Sequence, residues 1–86
     1  MKNAEKQIKS WEYIIQTKKE YIDFINKIIE AYDGLGNVRT IDNQNGLIKI
    51  LTNSCLLDDM DNAIETLHKK NIEIEVLERR EWLGVL

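Results

Sequence analysis

The sequence holds one cysteine, one histidine and no long apolar run, and each scarcity removes a class of protein. A lone Cys55 excludes an internal disulfide framework and fits a reducing compartment. A lone His68 supports neither a catalytic triad nor a zinc site. No stretch approaches the roughly 20 apolar residues of a membrane span, and Lys2-Asn3-Ala4-Glu5-Lys6-Gln7 leads into no apolar segment of signal-peptide length. The expectation is a cytoplasmic protein with no membrane contact. Basic residues are also in deficit, 12 against 15 acids. With no basic footprint, and no aromatic residue in the run Leu47 to Thr52, nucleic-acid binding is not expected.

What remains is ordinary globular material: 86 residues, 43% hydrophobic and 31% charged, with a net charge of -3. That is one domain with a marginal core, small enough for a partner subunit to complete it. Residues 1-9 carry three lysines without a clear period and read as a flexible arm. Trp11, Tyr13 and Ile15 alternate with their neighbours, which predicts a strand over about 10-17. Tyr21, Ile22, Phe24, Ile25, Ile28, Ile29 and Tyr32 then share one arc at helical spacing, predicting a one-faced helix. Gly34 is placed to end it and Gly36 to turn the chain sharply. Val38, Thr40 and Ile41 predict a second strand, and Asp42-Asn43-Gln44-Asn45-Gly46 a hairpin turn into the strand Leu47 to Thr52. Leu56, Leu57, Met60, Ala63, Ile64 and Leu67 mark a second helix, capped by Asn53 or Ser54. Ile72, Ile74 and Val76 alternate with Glu73 and Glu75 as a fourth strand.

The order strand, helix, strand, strand, helix, strand predicts the α+β ferredoxin-like βαββαβ fold, an antiparallel four-stranded sheet with both helices on one face. The domain is expected over 10-77, followed by an apolar tail, 78-86, that could serve as an extra strand or a dimer contact. The face away from the helices would carry Glu12, Ile14, Gln16, Arg39, Ile41, Leu47, Lys49, Leu51, Glu73, Glu75 and Leu77. It is more apolar than a solvated face should be. Ile14, Ile41, Leu47, Leu51 and Leu77, with Trp82, Leu83, Val85 and Leu86 of the tail, are therefore the expected interface. A homodimer, a tail covering its own sheet and a foreign protein partner are the three occupants considered.

For a small polar ligand the corner after the first helix is the place to look. Asp33 sits against the helix dipole, Arg39 and Asp42 follow, and Gly34 and Gly36 could bring backbone N–H groups to an anion. The alternatives are solvated surface pairs and a structural turn. Asp58, Asp59 and Asp61 spread around their helix and read as helix-start electrostatics rather than a metal site. Cys55 is expected to be a small buried hydrophobe. No catalytic residue, metal or cofactor is called for.

The corner Glu30-Ala31-Tyr32-Asp33-Gly34-Leu35-Gly36, then Val38-Arg39-Thr40, Asp42 and Gly46-Leu47-Ile48, resembles a family of short bacterial proteins known only as a domain of unknown function. The resemblance spans about residues 10-77, excludes the tail from Glu78, and implies a bacterial ferredoxin-like domain without assigning an activity or site residues. The topology is also similar to that of ACT domains, which bind amino acids as regulatory modules beside a glycine-containing loop. Here the corresponding loop, Thr17-Lys18-Lys19, has no glycine, and no arginine in it matches the phosphate-gripping residue of the acylphosphatases that share the topology. The expected function is thus a non-enzymatic ligand-binding or regulatory module. The alternative is an interaction module docking through its open sheet face and tail.

Overall fold

A computed structural model describes residues 8-32 and 34-82. Six principal elements follow in the order β1 (Ser10–Thr17), α1 (Ile22–Ala31), β2 (Asn37–Asp42), β3 (Leu47–Asn53), α2 (Leu57–Lys69) and β4 (Ile74–Glu81). Single 3-10 turns, Lys19–Tyr21 and Ser54–Leu56, lead into the two helices. The sheet order is β2-β3-β1-β4, antiparallel throughout, which is the ferredoxin-like arrangement.

The core lies between helices and sheet. Tyr13, Ile15, Ile48, Ile50 and Ile74 of the strands meet Ile22, Ile25 and Ile29 of α1 and Met60, Ala63, Ile64 and Leu67 of α2. Alternate strand positions supply the first set and i, i+3, i+4 positions the second, as the two periodicities require. The apolar arc on α1 is narrower than its sequence pattern: Phe24 and Tyr32 lie at its margins and are exposed. Trp11 is only half-buried, and Val76, on the edge strand β4, is exposed.

Two turns account for the remaining differences from the sequence pattern. Helix α2 ends in a Schellman motif, with Asn71 at φ 64° and the Ile72 N–H donating to the Leu67 carbonyl at 3.1 Å. Ile72 therefore packs under the helix end, and β4 starts at Ile74 instead. At its other end β4 runs on to Glu81, so the boundary expected at 77/78 falls inside the strand. Pairing with β1 continues past a β-bulge: the register shifts so that Ile15 pairs with Val76 but Ile14 pairs with Glu78, leaving Leu77 as the extra residue.

The hairpin forms as the sequence requires, with Gly46 at φ 69° and its N–H bonded to the Asn43 carbonyl. A Cβ there would run into the Thr17 backbone. Asn53 caps the turn into α2 by accepting from the Cys55 N–H at 2.9 Å. Cys55 itself is exposed, which corrects the expectation of a buried residue; the turn points it outward before the apolar face of α2 begins.

Candidate functional site

Two concavities meet at Trp82. The first, a cavity of about 310 Å³, lies at the glycine corner and is lined by Gly34, Gly36, Asn37, Leu51, Leu56 and Trp82 among others. Helix α1 stops at Ala31, Tyr32 turns extended, and Gly34 at φ 74° redirects the chain so that Leu35 enters the core. Gly36 is needed for closeness rather than for its φ: a Cβ would stand 2.7 Å from the Leu51 carbonyl oxygen. Two of its polar side chains are already engaged, and Ser10 and Asn37 add two more polar groups to the lining. Thr52 Oγ1 donates to the Leu35 carbonyl at 2.7 Å, and Asn53 Oδ1 is held by its capping bond.

The charged corner disperses in space. Asp33, Leu83, Val85 and Leu86 lie outside the described residues. Gly34 and Gly36 do come together, but Arg39 sits exposed on the open face opposite Lys49. Asp42 ends β2, where its carboxylate accepts from Asn45 Nδ2 at 2.7 Å. Asp42 is thus an Asx-type turn residue. Among the described residues no group of three or more His, Cys, Asp or Glu side chains could hold a metal ion.

The second concavity, about 610 Å³, is a shallow groove on the open sheet face, lined by Glu12, Ile14, Ile41, Lys49, Arg80, Glu81 and Trp82. Glu12 is only 3% exposed although it points away from the helices. Its carboxylate accepts from Arg80 Nε at 2.5 Å and faces Lys49 Nζ at 3.7 Å. Arg80 also reaches Glu78 at 2.5 Å. The guanidinium pKa is raised, first by the bond to Glu12. Ile14 and Leu51 are half-buried around this network, while Ile41 and Leu77 are exposed at 48% and 47%. Sequence reading missed Arg80, and with it the burial of Glu12. The pairing was visible only by carrying β4 past Leu77 through the bulge.

On the helix side the same strand end is clasped by a second network. Tyr13 Oη donates to Asp61 Oδ1 at 2.7 Å and accepts from Arg79 Nε at 3.0 Å. Arg79 lies over the Trp11 and Tyr13 rings at 5.5 and 5.7 Å. Arg79 and Arg80 therefore anchor opposite faces of the strand that leads to Trp82.

The class defined by this geometry is a ferredoxin-like α+β domain with one face covered by helices and one that no described residue covers. The chain belongs to the family described as domain of unknown function DUF4911, whose model matches residues 15–70. No curated protein matches it. Among solved structures it is similar to the solution structure of the Escherichia coli Tat proofreading chaperone protein NapD, with a TM-score of 0.55 and 20% identity, over 93% of this chain and 80% of that one. At that identity the likeness is one of fold. Among the described residues no helix is long and apolar enough to cross a membrane.

Proposed function

We propose that this chain is a non-enzymatic protein-interaction module that docks through the open sheet face and the adjoining Trp82 end. The observation that carries the reading is a sheet face that no other described residue covers. Ile14 and Ile41 line a groove with Glu12, Lys49 and Arg80, Leu51 pairs with Glu12 across the strands, and the Glu12 carboxylate is already bonded by Arg80 and faced by Lys49. A binding site for a small polar ligand would instead gather free polar groups in one pocket, whereas Arg39 and Glu78 lie at opposite edges of this face. The corner cavity mixes Ser10, Asn37, Thr52 and Asn53 with Leu51, Leu56 and Trp82, and Thr52 and Asn53 are already bonded within the chain. That NapD is a proofreading chaperone is in keeping with a protein-binding use of the same fold. A cytoplasmic, reducing setting suits the exposed Cys55.

The test is the size of the complex that a tagged chain forms in gentle cell extract. The expected result is migration well above the 10.1 kDa of the chain, lost in Leu51→Lys and Ile41→Lys but kept in Glu65→Arg on the outer side of α2. Thermal melts of each variant separate lost docking from lost folding. A wild-type chain that migrates free, or a complex indifferent to both face variants, would overturn the proposal.

A further inference from the structure

We infer that the open sheet face receives a second copy of this chain, the two sheets packing face to face about a twofold axis parallel to the strands. The inference rests on the reading of that face as a docking surface and names its occupant. Both edge strands are poor sites for strand addition, since β2 has a register shift at Ile41 and β4 has one at Leu77. Association is thereby directed to the face.

The registers place Arg39, Lys49, Ile14 and Glu78 in one row across the open face, from β2 through β3 and β1 to β4. The next row is Asn37, Leu51, Glu12 and Arg80. The first row therefore runs from the basic Arg39 and Lys49 through Ile14 to the carboxylate of Glu78, while the second runs from Asn37 through Leu51 and Glu12 to Arg80. A twofold axis along the strands lays β2 of one copy over β4 of the other. Arg39 then meets Glu78 at both ends of the row, and Ile14 lies near the axis with Lys49 passing over it. Asn37 likewise meets Arg80. An axis perpendicular to the strands would stack β2 on β2 and leave Arg39 facing residues of its own strand, so the Arg39–Glu78 pairing requires the first orientation. Glu78 is bonded by Arg80 of its own chain, yet its side chain is 53% exposed and has acceptor capacity left.

Four strands about 4.8 Å apart and roughly seven residues long give a face of about 450 Å² per copy before side-chain relief. That is at the small end of specific interfaces, so a reversible dimer in the micromolar range is expected.

Sedimentation of the purified full chain from low to several hundred micromolar provides the test, with charge reversal at the two row ends. The wild-type mass should rise with concentration from 10.1 kDa toward twice that value. Arg39→Glu alone and Glu78→Arg alone should each weaken association at least tenfold, and Arg39→Glu/Glu78→Arg together should restore it. Thermal melts confirm that each variant is folded. A wild-type chain that stays monomeric overturns the inference, as does a dimer insensitive to the single reversals or a double variant that fails to recover. A monomer in this purified sample alongside a large face-dependent complex in extract would reject the second copy as occupant while leaving the docking surface standing.

Discussion

The phenol of Tyr13 donates to Asp61 at 2.7 Å from a position with no solvent exposure. Arg79 closes the triangle, donating to the same oxygen at 3.0 Å and approaching the second Asp61 oxygen at 3.5 Å. The ring of Tyr13 belongs to the core while its hydroxyl ties β1 to α2 and to the far end of β4. Tyr13→Phe keeps the ring and removes both bonds. Asp61 and Arg79 remain open enough to hydrate, so the expected cost is about 1 kcal/mol, or roughly 4-8 °C in Tm for a domain of this size. Thermal denaturation by circular dichroism checks it.

The same network sets a pH dependence. Burial first, and then the hydrogen bond to Asp61, push the Tyr13 phenol from 10.0 up to about 12. A raised pKa means that the folded chain holds this proton more tightly than the unfolded one. Its contribution is fully present below about pH 10 and is lost as the pH rises toward 12. Urea denaturation across that window should show stability falling in the wild type, and falling less in Tyr13→Phe. In phenolate absorbance titrations the variant should lack the late-ionising component.

Glycine substitutions should rank by what a Cβ would meet. Gly34 has a positive φ but open space around it, so Gly34→Ala should cost about 1 kcal/mol of backbone strain. Gly36→Ala should cost about 2 kcal/mol, because the Leu51 carbonyl or the strand must shift. Gly46→Ala combines a positive φ with a backbone collision at Thr17 and should cost most. Denaturant midpoints order the three.

Much of this fold was legible because its periods are clean. Tyr13, Ile15, Ile48 and Ile50 alternate, and Met60, Ala63, Ile64 and Leu67 recur at helical spacing; all eight are buried. Gly34 and Gly46 were readable as turn residues because each stands where a helical or strand pattern breaks off, and both have a positive φ. The illegible part depends on register. Nothing local in Glu12 says that it will be buried by Arg80, 68 positions away, and the bulge at Leu77 defeats simple alternation along β4. For the same reason Asp42 and Arg39, close in sequence, diverge: one is drawn into the Asn45 turn and the other faces outward from an edge strand.

Glu12→Gln should show what the open-face network is worth. The carboxamide keeps the shape but loses both charge-assisted partners, Arg80 and Lys49. Since Arg80 is well solvated, the expected loss is about 1-2 kcal/mol, near the lower limit for hydrogen bonds to charged groups. It should shrink as salt is raised. Denaturant titration at low and high ionic strength measures both.

The central claim is that the open sheet face is a protein-docking surface, and site-specific photo-crosslinking in living cells tests it most directly. A photoreactive residue at Leu51 should yield protein adducts, including adducts at twice the mass of the chain, while the same residue at Glu65 on α2 should yield few. Equal labelling from both positions, or none from Leu51, would contradict the account.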